Sequence, residues 1–83
     1  MSQEKSIADL LSMKEILQWA IEREESSHAF YLQAKEKSRT PAEAELFELL
    51  AKEELVHKTT LIKHLETIEA QIDIDRALSY DVY

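Results

Sequence analysis

The 83-residue sequence contains no glycine and no cysteine, and it has a single proline. Most β architectures and phosphate-cradling loops are excluded, because hairpin turns, bulges and such loops rely on glycine for positive φ angles. The absence of cysteine excludes a disulfide framework, thiolate ligands for zinc or iron–sulfur clusters, and a cysteine nucleophile. With so short a chain, one small helical domain is the expectation that remains.

The sequence also lacks a long hydrophobic run and an excess of positive charge. No apolar segment approaches the roughly 18 residues of a membrane span, and acidic residues interrupt the region where a secretory signal would be apolar, so we expect a cytoplasmic protein. The net charge of −7 disfavours nucleic acid and membrane partners and favours cations. A chain this short rarely stabilises a core alone, so self-association or a bound metal is expected.

Two capping boxes divide the chain into helices. Residues 12–15 read Ser-Met-Lys-Glu and residues 40–43 read Thr-Pro-Ala-Glu. In each box a hydroxyl can cap the helix, and the glutamate three residues later can reach back to the cap. The boxes predict helices over about residues 12–38 and 41–70. Because the connection between them is so short, the helices are expected to pack antiparallel.

The predicted fold is therefore all-α, with residues 1–83 forming a single antiparallel two-helix hairpin. Such a hairpin is half of a four-helix bundle, and we expect dimerisation to complete the bundle. Asp73 could cap a short third helix over residues 74–80. Residues 1–11 either fray or form a short helix.

Seven-residue steps identify the rows of each helix that face inward. The main rows are Leu10, Leu17, Glu24 and Tyr31 on the first helix, and Phe47, Glu54, Leu61 and Ile68 on the second. Each row carries one carboxylate near the middle of its helix. Glu24 and Glu54 are equally far from the turn at residue 39, so we expect them to face each other. His57 follows Glu54 on the same helix face, one turn later.

Two buried carboxylates at one level repel each other and need a cation, a donor or a proton. Carboxylates and imidazole are good ligands for iron, manganese and zinc, so Glu24, Glu54 and His57 are candidate metal ligands. One hairpin offers only an open site with three ligands. Two hairpins in a two-fold dimer offer the ligand set of di-iron carboxylate bundles, which is two glutamates and two Glu-x-x-His pairs. The competing interpretation is a buried polar seam that sets helix register without metal.

Other polar residues near these rows are weaker candidates. Glu25 and His28 form a second Glu-x-x-His pair, but their rows lack the apolar periodicity, so we interpret Glu25 as solvated and His28 as a flanking residue. His64 continues the row of His57 and is interpreted as an interface or supporting residue. Tyr31 is either part of the core or a hydrogen-bond donor to a ligating carboxylate, because a buried phenol needs a partner.

Two segments resemble rubrerythrin-like members of the ferritin-like superfamily. Residues 20–31 read AIEREESSHAFY, with a glutamate followed seven residues later by tyrosine, and residues 47–57 read FELLAKEELVH, with a glutamate pair before histidine. The similarity spans about residues 13–68. Because the chain has one hairpin and no cysteine for a rubredoxin-type iron site, it is most similar to the encapsulated ferritins.

The resemblance implies a di-iron ferroxidase centre at a homodimer interface, often within a ring-shaped decamer inside an encapsulin shell. It implies that Glu24, Glu54 and His57 bind iron and that Tyr31 belongs to the catalytic group. The expected reaction is oxidation of Fe(II) to Fe(III) by dioxygen for iron storage or detoxification, with manganese and zinc as alternative metals. Rubrerythrin-like peroxide reduction and a non-catalytic helical assembly module are the alternative functions.

Overall fold

Two long α-helices make up the part of the chain that the computed structural model describes, namely the backbone of residues 6–81 and the side chains of residues 6–78. Helix α1 is Ile7–Glu36 and helix α2 is Pro41–Asp81. The helices pack against each other in an elongated molecule of 66 × 22 × 15 Å. Residues 6–81 contain no strand, which confirms the all-α hairpin. Over the same residues neither helix has a segment apolar enough to cross a membrane.

The turn between the helices is formed by the second capping box, as predicted. The backbone N–H of Glu43 donates to Thr40 Oγ1 at 3.2 Å, and the Glu43 carboxylate accepts from the backbone N–H of Arg39 at 2.9 Å. Pro41 is the first residue of α2, where its missing N–H has no helical partner to lose. These bonds satisfy donors that the helix start would leave unpaired, so the chain reverses within four residues.

The start of α1 differs from the prediction. The backbone N–H of Asp9 donates to Ser6 Oγ at 3.2 Å, so Ser6 is the N-cap and α1 begins at Ile7. The predicted cap at Ser12 is wrong, because Ser12 lies inside the helix. Residues 6–9 offer the same chemistry as the later box, a hydroxyl cap with an acidic residue in the first turn. No residue that breaks a helix separates the two candidate caps.

The end of α2 also differs from the prediction. The expected break after residue 70 and the separate helix over residues 74–80 are both wrong, because α2 runs without interruption to Asp81. Gln71 Nε2 donates to Asp75 Oδ1 at 2.8 Å across the expected break. The earlier start of α1 supplies a packing surface for this extension. Leu10 and Ile72 are both only 4% exposed at this end of the hairpin.

Three ion pairs join the helices along one side of the hairpin, which we call the back face. The pairs are Lys14 Nζ with Glu69 Oε2 at 3.4 Å, Lys35 Nζ with Glu48 Oε2 at 3.7 Å and Lys58 Nζ with Glu25 Oε1 at 3.6 Å. In each pair the two residues are equally far along the chain from one point in the turn. This is the antiparallel arrangement that the short connection predicted.

The opposite side of the hairpin, which we call the front face, carries large apolar side chains in contact with solvent. They include Ile16 and Phe30 of α1 and Leu46 of α2, all more than half exposed. Helical periodicity places these residues on the side of the helix contact away from the ion pairs. Leucines are partly exposed on the back face as well, but there they are interleaved with the ion pairs.

Candidate metal centre

The middle of the hairpin brings together the three predicted metal ligands. Glu24 projects from α1, and Glu54 and His57 project from α2 one turn apart. His57 Nδ1 lies 3.6 Å from Glu24 Oε2 and 3.9 Å from Glu54 Oε2. One possible ligand atom from each residue lies within 4.8 Å of the others. The two carboxylates therefore meet at one level, as their equal distance from the turn predicted.

The Glu24 carboxylate has an unsatisfied oxygen. Its Oε2 atom is buried and has no hydrogen-bond partner among the described residues. Burying a carboxylate oxygen without a donor or a cation is costly, because the lost hydration is not replaced. The imidazole Nδ1 of His57 lies 3.6 Å from this oxygen, which is too far for a hydrogen bond. The protein atoms alone leave this position incomplete.

The carboxyl group of Glu54 is affected by the same crowding. A protonated Glu54 can hydrogen-bond to Glu24, and this raises the pKa of Glu54 above its ordinary value of 4.5. Burial and repulsion from the Glu24 charge raise this pKa further, and a positive His57 opposes the shift. In the metal-free site, ionisation of Glu54 beside Glu24 is therefore less favourable than ionisation of a glutamate in water.

The geometry and chemistry of the three ligands fit a divalent cation. Ligand atoms bound at about 2.1 Å around one ion lie about 3 to 3.5 Å apart, slightly closer than the distances from His57 Nδ1 to the two carboxylates. A cation between them would neutralise both carboxylates and give Glu24 Oε2 its missing partner. Oxygen and imidazole donors suit iron, manganese and zinc.

The site is closed on the hairpin side and open on the front face. The side chains of Glu54 and Glu24 are 18% and 23% exposed, whereas that of His57 is 59% exposed. One chain supplies two carboxylates and one imidazole, which is half the ligand set of a di-iron carboxylate bundle. The open side faces the same direction as the exposed apolar residues Ile16 and Leu46.

The remaining candidate residues lie outside this group. Tyr31 is half-buried with its ring edge-to-face against Phe30, 5.4 Å between centroids, and within residues 6–78 its hydroxyl makes no hydrogen bond to either carboxylate. Glu25 pairs with Lys58 on the back face, as expected for a solvated residue. His64 is exposed, and its predicted interface role stays a prediction. No second group of metal-ligating residues occurs in the described part of the chain.

One polar contact beside the site could not be read from the sequence. His28 Nδ1 lies 2.9 Å from the backbone carbonyl oxygen of Ala51, across the interface between the helices. The row of His28 contains two lysines, so the sequence indicated only a flanking position. The buried Ile21, seven residues earlier in the same row, was the available signal that this row contacts α2. A carbonyl acceptor carries no sequence signal, because every residue has one.

The sequence matches a family model described as rubrerythrin over residues 15–83, a range that contains all three candidate ligands and the whole of α2. The chain belongs to the rubrerythrin family. Membership of the rubrerythrin family indicates an iron-binding, ferritin-like protein with iron-related oxidoreductase activity. The match continues past residue 68, where the resemblance seen in the sequence ended, and it includes the C-terminal part of α2. No curated protein and no solved structure matches the chain.

Proposed function

We propose that this rubrerythrin-family protein is a ferroxidase, which oxidises Fe(II) to Fe(III) with dioxygen at a two-iron site shared by two copies of the chain. The observation that carries the proposal is the convergence of Glu24, Glu54 and His57 from two helices. Family membership and the unsatisfied oxygen of Glu24 support it.

The second copy is needed to complete the ligand set. One hairpin provides one glutamate from α1 and one Glu-x-x-His pair from α2, and a two-fold axis doubles this set. The front face also presents Phe30 and Leu46 to solvent, between the site and the turn. Covering these side chains with the same face of a second copy buries them and brings the two half-sites together.

Each ligand has a separate chemical role in the proposed reaction. The Glu24 and Glu54 carboxylates offset the charge of Fe(II), which is the substrate, and favour the more highly charged Fe(III) product. His57 binds through a neutral imidazole nitrogen. Two Fe(II) ions lose one electron each, and one dioxygen with two protons is reduced to hydrogen peroxide. The helices hold the ligands at fixed distances, and the redox chemistry belongs to the iron.

The proposed assembly follows the resemblance to the encapsulated ferritins. We propose a homodimer as the working unit, a ring such as a decamer as its higher assembly, and an encapsulin shell as the compartment that receives the oxidised iron. A dimer of this size has no interior in which to store mineral. A shell or another partner is therefore part of an iron-storage or detoxification function.

The proposal is tested by Fe(II) oxidation assays on the parent and two variants. Glu54→Gln removes one ligand charge, and Glu53→Gln removes the charge of its exposed neighbour as a matched control. We expect the parent and Glu53→Gln to bind about one Fe(II) per chain and to oxidise it in air, and Glu54→Gln to be at least about tenfold slower. Equal rates for Glu54→Gln and the parent would contradict the proposal. Faster Fe(II) consumption with peroxide than with dioxygen would favour peroxide reduction instead.

A further inference from the structure

The contact between His28 and the backbone of α2 lies beside the candidate metal centre. His28 is four residues after Glu24 on α1, and Ala51 is three residues before Glu54 on α2, so the contact is about one turn from both carboxylates. The His28 side chain is half-buried, and Ala51 is only 1% exposed. The contact thus lies in a buried section of the helix interface.

The acceptor fixes the state of the histidine ring. A carbonyl oxygen can only accept, so His28 Nδ1 must carry the hydrogen and donate it over 2.9 Å. The Ala51 carbonyl can also accept the helical N–H of residue 55, because it has two lone pairs. The small side chain of Ala51 allows α1 to approach closely enough for this bond. A larger residue at position 51 would separate the helices.

We propose that His28 is a positioning residue, whose Nδ1–H bond to the Ala51 carbonyl fixes the register in which Glu24 of α1 meets Glu54 of α2. The expected effect on metal affinity rests on the proposed function, whereas the register of the helices is a property of the metal-free hairpin.

Other contacts between the helices define this register less sharply. Apolar side chains pack without a strong directional preference, so contacts such as those of Leu10 and Ile72 tolerate small shifts along the helix axes. The three ion pairs of the back face have N–O distances of 3.4–3.7 Å and are partly open to water, and such pairs contribute little. A short hydrogen bond to one backbone atom is directional, and a single buried polar contact is known to select one register.

The test compares three variants at position 28. His28→Asn keeps an N–H donor at the position of Nδ1, His28→Gln places its donor near the position of Nε2, and His28→Leu fills the space with no donor. Cobalt(II) is titrated into each protein under chelator-free conditions and followed by its visible absorption. NMR of the metal-free proteins reports the ring tautomer in the parent and the interhelical methyl NOEs in all four.

We expect the parent ring to carry its hydrogen on Nδ1. We expect His28→Leu and His28→Gln to bind cobalt(II) about tenfold more weakly with shifted interhelical NOEs, and His28→Asn to stay within threefold of the parent. Unchanged cobalt affinity in His28→Leu and His28→Gln, or a parent ring without hydrogen on Nδ1, would overturn the inference. If the parent binds no cobalt(II), the proposed metal site fails, and the interhelical NOEs of the metal-free proteins decide the role of His28. Shifted NOEs in His28→Leu and His28→Gln, but not in His28→Asn, support that role. Unchanged NOEs in all three variants overturn it.

Discussion

The two long faces of the hairpin differ in how their charged and apolar side chains are paired and covered. On the back face, the three cross-helix ion pairs lie among partly exposed leucines and link α1 to α2 within the chain. On the front face, Ile16 and Leu46 remain more than half exposed, and Glu24 has a buried carboxylate oxygen with no hydrogen-bond partner among the described residues. The back face is complete in that its charges pair within one chain, whereas the front face leaves large apolar side chains exposed and a buried carboxylate oxygen without a hydrogen-bond partner among the described residues. This difference is why the proposed function needs a second copy and a metal together.

The largest expected effect is the link between metal and dimer. Because the proposed site takes ligands from both chains, each ion that binds only the dimer, at 100 times its Kd, should tighten the dimer about 100-fold, and two such ions should tighten it about 10,000-fold. His57→Ala should lose this response, and His64→Ala should keep it, because His64 continues the same row without belonging to the ligand group. Analytical ultracentrifugation with Fe(II) under anaerobic conditions and with chelator measures the response. A dimer indifferent to metal in the parent would favour the structural-module alternative.

The next effect compares one leucine from each face of α2. Leu46 on the front face is 52% exposed, and Leu55 on the side of the ion pairs is 44% exposed. Leu46→Arg should raise the dimer dissociation constant about 30-fold or more, because loss of a buried apolar anchor costs about 2 kcal/mol. Leu55→Arg should leave the dimer intact. Sedimentation equilibrium distinguishes the two, and the reverse pattern would place the dimer interface on the back face.

The front-face site was more predictable than the ends of the helices that carry it. Glu24, Glu54 and His57 could be placed together because a short capped turn limits the registers open to the helices and the seven-residue rows identify their inward faces. The boundaries at Ser12 and Asp73 were wrong because a cap motif is local. Burial of Leu10 and Ile72 against the opposite helix favours longer helices, and this packing has no signature near either candidate cap.

A smaller effect concerns the metal-free front face. The raised pKa of Glu54 means that the folded state binds its proton more tightly than the unfolded state. This contribution to stability is fully present below the ordinary pKa of 4.5 and is lost as the pH rises through the raised pKa of the folded protein. At neutral pH, with chelator, Glu54→Gln should therefore be more stable than the parent, by less than about 1 kcal/mol because the site is partly open to water.

Urea unfolding at several pH values measures this difference. The advantage of Glu54→Gln should shrink as the pH falls and become small below the ordinary pKa of 4.5, where Glu54 is mostly protonated in both states. Glu53→Gln, next to it on the exposed side, serves as the control for the loss of one negative charge. A parent that is more stable than Glu54→Gln at neutral pH without metal would mean that the carboxylate pair has a partner in the protein itself.

The smallest expected effect tests the back face. Glu25 and Lys58 form a cross-helix ion pair at 3.6 Å with both side chains accessible to water. A double-mutant cycle with Glu25→Gln and Lys58→Gln should give a coupling of about 0.5 kcal/mol or less, decreasing as salt is added. A coupling well above 1 kcal/mol that persists in high salt would show that the pair is desolvated. The back face would then also be covered by another molecule, and the contrast between a complete and an incomplete face would no longer hold.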